Sequence, residues 1–312
     1  MTRTAYEEIF GPVGRRVERG RRAAAWWMKG LTGAERHILV ELRWRLGDEI
    51  MAIPIYEALR TIYAPCTITV LCNYPDLLEG NPHVDRINEL PSQVDRYILL
   101  RSDARDVPRI EHYARLCQVP TPTARPALYL KDWQTPYLDG LSRPVVALCS
   151  GASWTTKCWP IVRWRDLAER LVNEGCSIVE LGKGDESIGI GKSLVDRTTV
   201  REAACVLRGV NLMICGDSGL MHLSLAAGTP TIAMFGPTDP CMLVIKDPNL
   251  SPLLGGCDQQ GCWNRWEQAE PGKCPLAEKA PETGARCMEA ITVGTVFARA
   301  QAILRRHREG RA

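Results

Sequence analysis

The chain has 312 residues, 24% of them charged and 45% hydrophobic, a soluble globular composition long enough for two domains of ordinary size. A net charge of +3 is too small to argue for nucleic acid, and no RNP, zinc-finger or basic-region signature is present, so no nucleic-acid partner is expected. Thirteen cysteines without an export signal argue against a disulfide framework, and Cys66, Cys72, Cys149, Cys176, Cys205 and Cys215 fall in apolar runs where cysteine behaves as a small hydrophobe.

Residues 1–36 read as a basic N-terminal extension, with eight Lys/Arg against four acids, which leaves the rest of the chain near −1. Its longest apolar stretch, "AAAWWM", is too short for a signal peptide, and no stretch of the chain approaches the roughly 18 apolar residues of a spanning helix. The expectation is therefore a cytoplasmic protein. Arginines beside Trp26, Trp27 and Met28 suit either an interfacial helix on an anionic membrane surface or a helix packed on the protein itself.

From "HILVEL" (37–42) onward, strand and helix patterns alternate. A helix pattern in "IPIYEALRTIY" separates that strand from "CTITVLC" (66–72), and "RYILL" (96–100) follows. After the Pro-dotted segment 119–144 the alternation restarts with "RPVVALCS" (143–150). There follow a helix at 163–174, strand "SIVELG" (177–182), a helix at 199–208, strand "NLMIC" (211–215), a helix at 218–227 and strand "TIAMFG" (231–236). Such alternation predicts parallel β-α-β units in two domains, one over 37–140 and one over 141–290, with ligand between them at the carboxyl ends of the strands. Residues 250–287 break the pattern, and 291–312 read as a closing helix with a basic last turn.

Within "NLMICGDSGLMHLSLAAGTP" an apolar strand ends at Gly216, Asp217 and Ser218 are both favoured capping types, and a helix runs on until Gly228 and Pro230. A helix start of this kind aims unpaired N–H groups at one point and suits a phosphate. Gly219 lets the phosphate approach the backbone, and His222, one turn in, is a further donor; the alternative is a plain capped helix with a satisfied histidine. The nearby "GKGDESIGIGKS" is no P-loop, because that motif's first glycine would fall at Glu186. Asp185 or Glu186, just past a strand, are candidates for a ribose.

Cys257, Cys262, Cys274 and Cys287 stand apart from the other cysteines, in C-x4-C-x11-C-x12-C spacing within an irregular segment. Four thiolates can hold structural zinc or iron; reduced thiols and disulfides are the other readings, because the C-x2-C knuckle is missing.

"GDSGLMHLSLAAGTPTIAMFGPTDP" resembles the C-terminal signature of glycosyltransferase family 9, the ADP-heptose:lipopolysaccharide heptosyltransferases and their relatives. "RWRLGDEIMAIPIYEALR" (43–60), "EGNPHVDRI" (79–87) and "SGASWTTKCWP" (150–160) match in the same order, so the likeness covers roughly 37–300, and "RCMEAIT" (286–292) resembles the end of a cysteine-rich segment in several members. The resemblance implies glycosyltransferase fold B, with two Rossmann-like domains facing across a cleft, and inverting transfer from a nucleotide diphosphate sugar, ADP-heptose by analogy, without a cofactor. It implies a lipopolysaccharide-core or other glycan or glycolipid acceptor, and work at or near the inner membrane. Asp48 takes the place of the family's catalytic base. Lys157, with Ser153 from the same loop, falls on the phosphates, and Asp217 near the donor sugar.

Three departures qualify that transfer of roles. Glu49 stands where the family usually has an aliphatic residue, Pro54 leaves open whether the helix begins at Glu49 or near Pro54 and hence whether Asp48 is a cap or a loop residue, and Cys149 and Ser150 replace a His-Pro. Arg43 and Arg45, flanking the Gly-Asp pair, are candidates to meet an acidic acceptor. The rival readings are a nucleotide-sugar epimerase and a non-catalytic nucleotide-sugar-binding or partner-binding member.

Overall fold

The computed structural model describes residues 36–309, apart from 132–133, 245, 266–268 and 280–283. Residues 1–35 of the basic N-terminal extension, and with them the membrane-surface expectation, lie outside the described residues, while Arg36 already belongs to the first strand. Two wholly parallel sheets organise the chain. The first has the order β3-β2-β1-β4, from β1 (Arg36–Leu42), β2 (Cys66–Cys72), β3 (Arg86–Ile87) and β4 (Arg96–Leu99). The second has the order β10-β9-β8-β5-β6-β7, from β5 (Val145–Cys149), β6 (Ser177–Glu180), β7 (Lys192–Ser193), β8 (Leu212–Gly216), β9 (Thr231–Phe235) and β10 (Leu250–Leu254).

The central strands read as near-continuous apolar runs because both their faces are covered; all seven residues of β2 and all five of β5, β8 and β9 are buried. The crossover helices are α1 (Leu46–Tyr63) and α2 (Arg109–Cys117) in the first half. In the second half they are α3 (Ile161–Asn173), α4 (Val200–Gly209), α5 (Gly219–Ala226) and α6 (Pro240–Leu243). Two short helices, α7 (Cys262–Arg265) and α8 (Arg286–Ala290), carry the cysteine-rich segment, and α9 (Val293–Glu309) closes the chain. Val296, Ala300 and Leu304 of α9 join Trp164, Leu167 and Leu171 of α3 in the apolar layer on one face of the second sheet.

The other face of that sheet does not end at its own helices. Ala147, Met213 and Phe235 belong to one buried cluster with Leu223 and Leu225 of α5, Ile50 and Ile55 of α1, and Val40 and Ile68 of the first sheet. Helix α1 packs directly on α5, so the two halves meet along this seam.

Two details correct the sequence reading. Residues 250–254 continue the sheet as the edge strand β10 beside β9, where Pro252 is tolerated because an edge strand can spare an N–H. Helix α1 starts at Leu46 and runs through Pro54, so Asp48 lies inside its first turn, with Arg45 at the cap position.

Candidate functional site

In an open parallel sheet, ligands gather where the strand order reverses, outside the carboxyl ends of the strands. The first sheet reverses between β1 and β4, and the second between β5 and β8. The residues that follow those four strands are the Gly47–Asp48 turn, the 100–108 loop, the 150–157 loop and Gly216–Gly219. Three of the four carry residues singled out from sequence; the 100–108 loop is new.

Asp48 is not a capping residue. Its Oδ1 accepts from Ser102 Oγ at 2.6 Å and from the Tyr113 hydroxyl at 3.4 Å, and Arg109 Nε lies 3.4 Å away. Its side chain is 13% exposed, so the carboxylate still reaches the cleft. Burial first, and the Asp48 charge second, push the Tyr113 hydroxyl far above its ordinary value, so tyrosine stays a neutral donor.

The neighbouring Glu49 points elsewhere. It is 3% exposed and accepts backbone N–H groups from Trp44, Asn73 and Tyr74 at 3.3, 2.8 and 3.0 Å. Burial lifts its pKa, the three N–H groups pull it down, and the Asp48 charge adds to the rise. Glu49 therefore ties the strand-end loops of β1 and β2 together and does not compete for the place of Asp48.

Across the seam, Lys157 ends a short 3-10 helix, Thr155–Lys157, and its Nζ lies 2.6 Å from Asp217 Oδ2 and 4.2 Å from the centre of the Trp154 ring. Thr238 Oγ1 donates to the same Oδ2 at 2.6 Å. Burial alone would raise the Asp217 carboxyl, but the Lys157 charge and hydrogen bond, Thr238 and His222 together hold it below the usual carboxylate value. Asp217 is thus an ionised counter-ion to the lysine and not a helix cap.

Ser218 holds the N-cap position of α5 without a side-chain cap bond. Its Oγ and that of Thr156 are buried with no hydrogen-bond partner among the described residues, apart from the Cys149 thiol beside Ser218. Unsatisfied hydroxyls beside a helix start and a buried ammonium are what an oxyanion-rich ligand would complete.

His222 lies between these two groups. Burial lowers its pKa most, while the charges of Asp217 and Asp48 both act to raise it, so both carboxylates are within electrostatic reach of one neutral ring. A Cβ on Gly47 would stand 2.6 Å from His222 Cδ2, and one on Gly219 would stand 2.9 Å from Leu46 Cβ. The two glycines therefore let α1 and α5 meet closely.

The remaining sequence candidates fall around this centre. Glu186 folds its carboxylate over Gly151 and Gly182, where a Cβ would come within 1.8 Å and 2.4 Å of it, and accepts the Lys183 N–H at 2.9 Å. Asp185 is exposed and outside that arrangement. Arg45 donates to Ser153 Oγ at 2.7 Å across the seam, so the candidate acceptor arginine touches the 150–157 loop. Arg43 is exposed and 3.7 Å from Glu41, with no contact to the site shown.

The four cysteines converge without closing into a metal site. Burial first, then Cys257, Cys274 and Cys262, push the Cys287 thiol up to about 12. Backbone N–H groups of Gln259 and Leu276 point at the sulfurs of Cys257 and Cys274, each at 3.4 Å. All four are free cysteines, and among the described residues no three His, Cys, Asp or Glu side chains are placed to hold a metal ion. The four thiols that the spacing offered as a zinc or iron ligand set are therefore gathered in one segment, but among the described residues they are not at ligand spacing. No described helix is long and apolar enough to cross a membrane.

The sequence model of glycosyltransferase family 9 (heptosyltransferase) matches residues 81–249. Lipooligosaccharide heptosyltransferase 2 of Haemophilus influenzae is 26% identical over 230 residues, 64% of this chain and 65% of that protein, so the aligned part spans just under two thirds of the relative. Among solved structures, ADP-heptose lps heptosyltransferase II of E. coli superposes with a TM-score of 0.64 at 18% identity, covering 88% of this chain and 99% of that one. The dodecameric iron-containing heptosyltransferase TibC of enterotoxigenic E. coli, solved with ADP-D-beta-D-heptose, superposes with a TM-score of 0.72 at 15% identity, covering 86% and 76%. These likenesses assign glycosyltransferase fold B.

Proposed function

Because this chain belongs to glycosyltransferase family 9, we propose that it transfers a sugar, heptose from ADP-heptose, with inversion onto a hydroxyl of a lipopolysaccharide-core or related glycan acceptor. The observation that carries this reading is the juxtaposition at the two strand-order reversals. A carboxylate, Asp48, faces a buried lysine–aspartate pair across His222, with unsatisfied hydroxyls beside the lysine.

The chemistry follows from that placement. Asp48, oriented by Ser102 and Tyr113, takes the proton of the acceptor hydroxyl as its oxygen bonds to the anomeric carbon. The bond from that carbon to the diphosphate oxygen breaks, and the electron pair leaves with the nucleoside diphosphate. Lys157, Thr156, Ser218 and the first N–H groups of α5 offset the charge that develops there. Asp217 anchors the lysine and faces the donor sugar, and Glu186 takes the ribose. Residues 37–140 hold the acceptor and 141–290 the donor, with Arg45 between them; Arg43 is the second acceptor arginine.

The TibC likeness and the cysteine spacing support a structural metal in the 257–287 segment, to which this reading gives no part in the reaction. The basic N-terminal residues suit a protein working beside an anionic inner-membrane surface.

The test is Asp48→Asn. Turnover is expected to fall roughly a hundredfold to ten-thousandfold, while ADP binding, measured by calorimetry, persists. Unchanged turnover would remove Asp48 as the base. Turnover of the donor without any acceptor would favour an epimerase, and ADP-sugar binding without turnover on lipopolysaccharide-core acceptors would favour a non-catalytic member.

A further inference from the structure

The loop between β4 and α2 reaches the site twice. Ser102 holds Asp48, and three residues on, Arg105 crosses to the other half of the molecule. Its guanidinium carbon lies 3.6 Å from the centre of the Trp263 ring, its Nη1 donates to the Ala269 carbonyl at 3.1 Å, and its own carbonyl accepts from Asn264 Nδ2 at 3.0 Å. Trp263 meets Trp154 edge to face at 4.7 Å, and Trp154 presents its ring to the Lys157 ammonium at 4.2 Å. An unbroken series of contacts thus runs from the loop that orients the base to the lysine that faces the leaving group.

Every contact in the series is directional. A guanidinium stacks on an indole face and an ammonium sits over the ring, because the face of the ring is its negative side. The backbone at Trp263 is anchored, since its main-chain N–H donates to the Pro237 carbonyl at 2.8 Å, and Asn264 Oδ1 accepts the Asp239 N–H at 2.8 Å. The loop 235–239 held in this way also supplies Thr238 to Asp217. Short helix α7 is therefore a bracket whose two sides touch the loop of the first half and the phosphate-side residues of the second.

We propose that Arg105 is a positioning residue: stacked on Trp263, it fixes Trp154 and through it Lys157, so that the lysine is held for the leaving diphosphate only while the 100–108 loop is seated on the cysteine-rich segment. The inference deepens the transferase reading and rests on it for its kinetic consequence. The structural part stands apart from that reading, because it concerns contacts within the chain alone.

The experiment uses the full-length chain and its Arg105→Ala and Arg105→Lys variants. Hydrogen exchange is measured without ligand over 150–158 and 257–265, together with turnover of ADP-heptose and calorimetric ADP affinity. Arg105→Ala is expected to speed exchange in both segments. A lysine misplaced by about an ångström costs on the order of a hundredfold in rate, so kcat is expected to fall about ten- to a hundredfold, with the donor KM and ADP affinity within about twofold. Arg105→Lys restores part of kcat, because an ammonium still stacks on the indole, and Lys157→Ala removes any further effect of Arg105→Ala. Faster exchange confined to 257–265, with 150–158 unchanged, overturns the relay. So does an additive effect of the two substitutions. If the wild-type chain neither binds ADP nor turns over, while exchange at 150–158 still responds to Arg105, the transferase reading fails and the positioning contact survives.

Discussion

His222 shows how burial sets the chemistry of a single residue. Desolvation lowers its pKa although two carboxylates favour the charged form, so the folded ring is neutral where an ordinary imidazole, with a pKa of about 6.5, begins to protonate. As pH falls through that value, the unfolded chain binds a proton that the folded chain refuses, and stability falls with it. His222→Gln is expected to flatten the pH dependence of the urea midpoint between about pH 7.5 and 5.5. Equal slopes in the two proteins would show that the ring is not held neutral. Asp217 has the opposite chemical type but loses stability in the same direction. Its depressed carboxyl contributes stability above the unfolded pKa, and that contribution is lost as pH drops through the folded one, well below the histidine window.

At the scale of elements, the α1–α5 contact depends on having no side chain at Gly47. Alanine there gains at most about 1 kcal/mol of helix propensity, while overpacking costs about 1–3 kcal/mol. The clash is with a buried ring, three of whose atoms lie within 3.4 Å of the added carbon, so the overpacking term wins. Gly47→Ala is expected to lower the melting temperature and turnover together. Gly294→Ala in α9 is the control, because its Cβ meets only Thr292 Oγ1 at 3.8 Å and should be neutral or stabilising. A Gly47→Ala protein as stable and active as the wild type would mean that the helices are not held at this spacing. These elements were legible in the sequence to the degree that their burial is periodic or complete. The apolar runs of β1, β2, β5, β8 and β9 pointed to the strands, and the glycine ending β8 to Asp217 and His222 beyond it, whereas Asp48 and Lys157 came from the family resemblance. The two-residue strands β3 and β7 are too short for any period, and β10 is masked by Pro252. Helix α2 hides behind the polar run "RSDARDVPRIEHY". Within that run lie Ser102, Arg105, Arg109 and Tyr113, whose roles exist only through contacts 11 to 164 residues away. A polar residue at the end of a strand next to a strand-order reversal was the one local signal for Ser102.

For the molecule as a whole, the question is what holds the two halves together. Polar ties across the seam include Arg45 to Ser153, Arg125 to Asp247, Arg105 to Ala269, Asn264 to Arg105 and Arg201 to Glu79; Arg45 is exposed and the Arg125 side chain is 44% exposed. Pairs of that kind are worth about 0–1 kcal/mol each and weaken in salt. The apolar seam is of another order. Met51, 3% exposed on α1, lines a cavity with His222, Leu225 and Ala226 of α5, and one buried cluster extends from there into both sheets. Truncating a buried methionine costs roughly 2–5 kcal/mol, more than an exposed tie of this kind would lose to salt. Met51→Ala is therefore expected to lower the urea midpoint strongly, while 1 M NaCl, which cuts the screening length to about 3 Å, shifts the wild-type midpoint little. Because the cluster belongs to both halves, far-ultraviolet ellipticity and tryptophan fluorescence should report a single coincident transition. Two resolved transitions, with Met51→Ala moving only one of them, would mean that the seam is a surface contact between independent domains and not a shared core.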